Sequence, residues 1–130
     1  MTSTTGSRTL VGSVMSPSVT SVDRKATLRD AAVALHKAQV GTLAVLDGGG
    51  IAGILSERDI VGALATGIDP DRGLVEDAMS GDPRYLTEGD PVGAALVTML
   101  RAGVRHMPVV ASGSLVGIVS IRDLAAEMVA

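Results

Sequence analysis

Aromatic side chains are almost absent from this sequence of 130 residues, which has no Phe, no Trp and a single tyrosine, Tyr85. A core must then be built from Val, Ile, Leu, Ala and Met, which favours thin layers of closely packed strands and helices. Proteins that bind single-stranded nucleic acid stack bases on aromatic rings. Lys and Arg form no long run and the formal net charge is −3, so the basic patch that holds a phosphate backbone is missing too. We expect no nucleic-acid partner.

Cysteine is also absent, which excludes disulfides and thiolate metal sites and agrees with a reducing compartment. The two histidines, His36 and His106, are too few for a zinc site without carboxylate help, and we expect no metal. No apolar run approaches the roughly 20 residues that span a bilayer, and residues 1–6 lack the apolar stretch of a signal peptide. We therefore expect a cytoplasmic protein with no membrane partner, in which residues 1–9 form a flexible tail.

The dominant feature that is present is an internal repeat with an offset of 64 residues. Residues 10–61 align with residues 74–125 without gaps and give 15 identities in 52 pairs, where composition alone gives roughly four or five. The closing stretches are GILSERD and GIVSIRD. The duplication predicts a first repeat over 10–67, a polar linker over 68–73 and a second repeat over 74–130.

Both repeats predict the same order of elements: a short leading strand, a helix, two strands joined by a turn, and a second helix. Thr27 is predicted to cap the first helix of repeat 1, and in repeat 2 Asp90 is predicted as the cap and Pro91 as the first helical residue. The predicted strands are 19–22, 42–46, 51–56, 84–86, 107–111 and 115–120, and the second helices start near 57 and 121. Because about 60 residues bury too little surface to be stable alone, we expect two βαββα units, an α/β (α+β) fold, packed sheet to sheet with pseudo-twofold symmetry.

The tandem order, with Gly-Ile-hydrophobic-Ser-x-Arg-Asp at the end of each copy, resembles the cystathionine-β-synthase (CBS) domain family. The second copy has the fuller signature, VRHMPVV at 104–110 and LVGIVSIRD at 115–123, whereas the first has Ala44 where the family usually shows Pro. The resemblance covers about residues 10–128 and is to the stand-alone CBS pairs of bacteria. It implies a regulatory, non-catalytic module that senses AMP, ADP, ATP or S-adenosylmethionine, requires no cofactor, and forms a homodimer through its helices.

The same resemblance implies that the ligand lies in a cleft between the two repeats. Asp59 and Asp123 would accept hydrogen bonds from ribose hydroxyls, and Ser56 and Ser120 would hold the ribose or the first phosphate. The chemistry suits these residues, because a carboxylate accepts both protons of a cis-diol and a strand-to-helix junction offers backbone N–H groups to anions. The other implied contacts are an apolar wall at Ile54 and Ile118, backbone groups that close the pocket at Thr20, Val22 and Arg84, and the phosphate-side residues Thr42, Arg105 and His106. Arg58 and Arg122 are further candidates for a phosphate, but an arginine at a helix start is at least as often simply exposed to solvent.

The Ser-x-x-Asp motif also has a purely local interpretation. Ser at a helix cap followed by an acid at the third helical position forms a capping box, and the two roles are compatible if Asp also faces the ligand. Three functions therefore stay open: a nucleotide sensor, a ligand-free assembly module that acts through homodimer contacts, and an enzyme using a carboxylate pair. The enzyme is the weakest of the three, because the chain has no cysteine nucleophile and no histidine with a Ser or acid at a recognised spacing.

Overall fold

The structure, a computed structural model, describes residues 8–81 and 84–129 and contains two three-stranded sheets of the same topology. The predicted α+β class with two repeated units is confirmed, and the pseudo-twofold packing of those units stays a prediction. None of the helices in the described part of the chain has the length and apolar character that crossing a bilayer requires. The elements in chain order are α1 (Val11–Val14), β1 (Ser21–Asp23), α2 (Leu28–Ala38), β2 (Thr42–Asp47), β3 (Gly50–Ser56), α3 (Glu57–Ala65), α4 (Val75–Ala78), β4 (Leu86–Thr87), α5 (Val92–Ala102), β5 (His106–Ala111), β6 (Ser114–Ser120) and α6 (Ile121–Met128).

The compact units of the structure differ from the sequence repeats. The central unit comprises residues 19–81 of the described chain, and the split unit combines the segment that ends at Ser18 with the segment that begins at Arg84. The boundaries 10–67, 68–73 and 74–130 therefore describe the duplication rather than the packing. The leading segment of each repeat, with its short helix α1 or α4, belongs to the unit that holds the other repeat's sheet.

Backbone hydrogen bonds attach the leading segment to the split unit. The N–H of Val11 donates to the carbonyl of Asp90 at 2.8 Å, and Ser16 and Ile118 exchange two hydrogen bonds of 2.8 and 3.0 Å. Val11 is fully buried in the core of this unit. The flexible tail predicted for 1–9 lies mostly outside the described residues, but Thr9 at its end donates its hydroxyl proton to Glu127 at 2.9 Å. The packed part of the chain therefore includes Thr9.

The central unit holds its second leading segment in the same way. Ser80 and Ile54 exchange hydrogen bonds of 2.9 and 3.2 Å, which extends the three-stranded sheet at the outer edge of β3. The predicted linker is part of this unit, because the carbonyls of Pro70 and Gly73 accept hydrogen bonds from the first N–H groups of α2, including that of Leu28. These N–H groups have no partner within the helix itself. The loop over 68–73 thus caps α2 as well as connecting the repeats.

The helix starts confirm one predicted cap and correct another. Thr27 caps α2 in a reciprocal capping box with Asp30, as predicted. In α5 the cap is Pro91, with extended backbone angles, and the helix begins at Val92. Asp90, predicted as the cap, instead accepts hydrogen bonds from the backbone N–H and the hydroxyl of Thr87. Its carboxylate therefore closes the turn after β4, and the helix starts one residue later than predicted.

The leading segments pack so closely against the outer edges of β3 and β6 that we expect glycine to be required at the contact, and this requirement can be measured. A Cβ on Gly53 would lie 2.5 Å from the carbonyl oxygen of Ser80, whereas a Cβ on Gly62 within α3 would meet nothing within 4 Å. We expect Gly53→Ala to lower the free energy of unfolding by about 1–3 kcal/mol, because backbone must shift. Gly62→Ala is the matched control and should raise it by about 0.5–1 kcal/mol. Urea unfolding followed by circular dichroism measures both, and a Gly53→Ala protein as stable as the parent would refute the close approach.

Candidate functional site

Three of the residues predicted to bind ligand in the split unit, Ile118, Ser120 and His106, share one face of its sheet. Val119 of β6 is buried in the core, so its neighbours along the strand, Ile118 and Ser120, point to the opposite face. Residues directly opposite each other in an antiparallel pair share a face. The partners of Ile118 and Ser120 on β5 are Pro108 and His106, so these four side chains lie on one face of the sheet, where Pro108 is buried and the other three are half-buried.

The central unit repeats this arrangement with different chemistry. Leu55 lies in its core, and the flanking residues Ile54 and Ser56 pair with Ala44 and Thr42 on β2. In both units an apolar row of two side chains (Ile118 and Pro108, or Ile54 and Ala44) thus lies beside a polar row (Ser120 and His106, or Ser56 and Thr42). The titratable imidazole of the split unit is replaced here by the hydroxyl of Thr42, whose side chain is buried.

Both serines cap the helix that follows them, which confirms the capping interpretation of the motif. Ser120 accepts the N–H of Asp123 at 3.0 Å, and Ser56 accepts the N–H of Asp59 at 3.2 Å. Only the capping box at Ser56 is reciprocal, because Asp59 Oδ2 also accepts the N–H of Ser56 at 2.8 Å. At the start of α6, only the serine half of the box is formed.

This difference makes the two carboxylates unequal as ligand groups. Asp59 is half-buried and one of its oxygens already holds the start of α3. Asp123 is exposed and its carboxylate makes no return bond to Ser120. A carboxylate offers about four acceptor positions, so Asp59 retains capacity, but Asp123 can meet a pair of hydroxyl groups without giving up a hydrogen bond to the start of its helix.

His106 adds a titratable group beside Asp123. Burial lowers the pKa of the His106 imidazole; the negative charge of Asp123 opposes this shift, and the positive charge of Arg105 adds to it. The imidazole is therefore mainly neutral at neutral pH. A phosphate placed next to it would favour the protonated form, because the added negative charge stabilises the imidazolium.

The residues predicted to close the pocket lie in different environments. The carbonyl of Thr20 accepts the N–H of Ala44 at 3.0 Å, so this group is already used within the sheet. Val22 pairs with Val45 and its side chain packs against the core of the central unit, so the contact predicted for its backbone stays a prediction. The remaining members of the predicted set are arginines that lie exposed at helix or strand ends: Arg58, Arg84, Arg105 and Arg122.

The sequence reasoning passed over the two residues that border the apolar rows. Ser16 lies beside Ile118, and Ser80 lies beside Ile54, each through a pair of backbone hydrogen bonds. The signal was present in the duplication, because both serines follow a methionine at equivalent positions of the repeats. The Met-Ser pair is identical in the two repeats, and so is the Gly-Ile pair of β3 and β6. This indicates that the segment with Met-Ser and the strand with Gly-Ile are structurally linked.

A groove of about 500 Å³ lies elsewhere in the central unit, between α2 and α3. We do not assign the ligand to it, because none of the residues predicted to bind ligand lines it and because Glu57 on its rim would repel a phosphate. His36, expected from the sequence to be exposed, lies on this rim and is exposed. In residues 8–81 and 84–129 no group of three or more His, Cys, Asp or Glu could hold a metal ion. The groove is lined by Ala32, Leu35, His36, Gln39, Val40, Gly41, Glu57 and Ile60.

Comparison with known proteins matches the chain to one family throughout its length. The family model described as CBS domain matches residues 11–66 and 75–130. The chain is 41% identical over 119 residues to an uncharacterized 17.7 kDa protein in the bps2 3′ region of Acidianus ambivalens, covering 90% of this chain and 71% of that protein.

Two solved structures are similar in fold and in sequence. The CBS-domain containing protein ATU1752 from Agrobacterium tumefaciens aligns with a TM-score of 0.81 and 29% identity, over 91% of this chain and 98% of that one. The CBS domain pair of protein MJ0100, in complex with 5′-methylthioadenosine and S-adenosyl-L-methionine, aligns with a TM-score of 0.79 and 26% identity, over 91% and 94% of the two chains.

The unequal capping boxes predict unequal effects on stability. Asp59→Ala removes a hydrogen bond accepted from the Ser56 N–H, whereas Asp123→Ala removes no such bond. We expect Asp59→Ala to be more destabilising than Asp123→Ala by about 1 kcal/mol. Thermal and urea unfolding of the two proteins without ligand test this. Equal losses of stability would mean that the two carboxylates have the same local role.

Proposed function

This chain belongs to the CBS domain family as a tandem pair, and we propose that it is a regulatory module that binds an adenosyl ligand without catalysing a reaction. The ligand class comprises AMP, ADP, ATP and S-adenosylmethionine. The complex of the MJ0100 CBS pair with two adenosyl compounds supports this class. A cytoplasmic location and a homodimeric assembly are parts of the same proposal.

The observation that carries the proposal is the exposed carboxylate of Asp123 beside Ser120. An ionised carboxylate accepts two hydroxyl hydrogen bonds at once, and bonds to a charged acceptor are the stronger kind. The hydroxyl of Ser120 accepts the Asp123 N–H, and its own proton is left to donate to a ligand oxygen. Ile118, two residues earlier on the same face, supplies apolar surface for a base.

The phosphate side of the site requires positive charge, because Asp123 would repel a phosphate placed next to it. His106 lies opposite Ser120 in the ladder, and Arg105 precedes it. The two side chains supply this charge, the first by taking a proton when the phosphate arrives. The central unit has Gly41 and Thr42 at the equivalent positions. We therefore propose that phosphate-bearing ligands occupy the split unit in preference to the central unit.

A second candidate function is assembly without a ligand. It is favoured by large apolar side chains that are exposed on helices of both units, above all Val61 at 64% and Leu100 at 60% exposed. Single exposed apolar side chains are normal on a monomer, whereas a contiguous patch of them is typical of a surface that a partner covers. Under this alternative the partner is a second copy of the chain, and the Ser-x-x-Asp motifs are helix caps only.

Isothermal titration calorimetry with the four ligands separates the two functions. We expect at least one ligand to bind, and Asp123→Ala to weaken its binding at least tenfold, because charge-assisted hydrogen bonds to the ribose are lost. Asp77→Ala is the matched control, an exposed acid in the first turn of α4, and should bind as the parent does.

The opposite outcome is equally clear. Absence of heat and of any change in melting temperature with all four ligands, from a protein that sediments as a dimer, would favour assembly alone.

A further inference from the structure

Glu76, in the first turn of α4, is joined by ion pairs to the turn that follows β1. Its Oε2 accepts a hydrogen bond from Nζ of Lys25 at 2.6 Å, and its Oε1 lies 3.5 Å from Nη1 of Arg24. Arg24 also lies 3.3 Å from Oδ1 of Asp47, the last residue of β2. These four residues form the Glu76 cluster. A single exposed ion pair contributes little to stability, whereas several charges in one network contribute measurably.

The two units hold the backbone of their leading segments in the same way. In each unit, two successive N–H groups at the start of the short helix donate to two carbonyls in the turn after the first strand. The Met-Ser end of each segment then exchanges two hydrogen bonds with the outer strand of the sheet. A difference between the two attachments therefore comes from side chains. The N–H-to-carbonyl pairs are Val75 to Ala26 and Glu76 to Arg24 in the central unit, and Val11 to Asp90 and Gly12 to Glu88 in the split unit, at 2.8 to 3.0 Å.

The split unit has different side chains at the places of the Glu76 cluster. The position equivalent to Glu76 is Gly12, and the position equivalent to Arg24 is Glu88. A Cβ on Gly12 would lie 3.1 Å from the Cβ of Glu88, so a glutamate at this position would be crowded and would face a like charge. Within residues 8–81 and 84–129, no ion pair attaches the leading segment of the split unit.

Apolar burial and one side-chain hydrogen bond hold the split unit's segment instead. Val11 is fully buried, and Val14 and Met15 pack against the same core. The hydroxyl of Thr9 donates to Glu127. Ions screen the attraction between charges near a protein surface, because the Debye length falls from about 30 Å at 0.01 M salt to about 3 Å at 1 M. Apolar burial is not screened in this way, so the two attachments differ in their dependence on salt.

We propose that the Glu76 cluster makes the attachment of the second leading segment, residues 74–80, dependent on ionic strength. At low salt the cluster keeps this segment in place and the outer edge of β3 covered. As salt screens the cluster, the segment detaches more often, and the backbone N–H and carbonyl of Ile54 lose their partner Ser80. The outer edge of β6 stays covered at the same salt concentration. Because an uncovered edge pairs readily with another strand, ionic strength then selects the edge that is open to such pairing.

Backbone amide hydrogen exchange, followed by NMR without ligand, measures the opening of each segment. The amides of Ser80 and Ile54 report on the central unit, and those of Ser16 and Ile118 report on the split unit. Between about 10 mM and 1 M sodium chloride, we expect protection of the first pair to fall about fivefold relative to the second, the range for loss of two ion pairs. The second pair is the internal reference for effects of salt on the solvent and on global stability.

Substitution of the central acid gives a second readout. Glu76→Gln removes the charge and keeps the shape of the side chain, so protection at Ser80 should be low already at 10 mM salt, about the value of the parent at 1 M, and should no longer respond to salt. Asp77→Asn is the matched control. Asp77 is an exposed acid in the same turn and makes no ion pair within the described part of the chain, so this protein should keep the salt response of the parent.

Two results would overturn the role of the Glu76 cluster. One is an equal response to salt at the edges of β3 and β6, and the other is a Glu76→Gln protein that responds to salt as the parent does. Both measurements are made without ligand, so either result leaves the proposed sensing function standing.

Discussion

Two short backbone pairings, Ser16 with Ile118 and Ser80 with Ile54, hold each leading segment on the outer edge of a sheet. An uncovered edge strand invites pairing with another chain, and these segments remove that edge at its middle. The approach is so close that a Cβ on Gly117 would lie 2.5 Å from the sulfur of Met15. Neither sequence repeat is therefore a complete compact unit, because each sends its leading segment to the other unit.

The same pairings lie beside the strand ends that carry the residues proposed to bind ligand. Ile118 is held at the edge, and two residues later Ser120 ends β6 and caps α6. The strand-to-helix junction is thus built on a backbone that has hydrogen-bond partners on both sides. The two units then differ in how the motif's acid is used: the Asp59 carboxylate accepts a hydrogen bond from the N–H of its own helix cap, Ser56, and the Asp123 carboxylate makes no such bond to Ser120. One duplicated scaffold therefore presents two helix starts of different character.

Much of this fold is predictable from the sequence, because the duplication supplies two independent copies of each pattern. The hairpin strands and the helices that follow them start within one residue of the positions predicted. The exchange of leading segments between the units was not predictable, because the offset of 64 residues does not indicate which sheet a leading segment joins. The sequence also could not predict that Asp59 returns a hydrogen bond to its helix cap and Asp123 does not, because both follow the same Ser-x-x-Asp spacing. Helix α5 starts one residue later than predicted for a local reason: the side chain of Asp90 accepts hydrogen bonds from Thr87 instead of capping the helix.

The most direct measurement of the central claim is the change in backbone amide NMR shifts as AMP is added to the isotopically labelled protein. The account predicts that the largest changes lie at Ser120–Asp123 and His106, on one face of the split unit, with smaller changes at Ser56–Asp59. Shifts confined to the groove between α2 and α3, or no shifts with AMP or with any of ADP, ATP and S-adenosylmethionine, would contradict it.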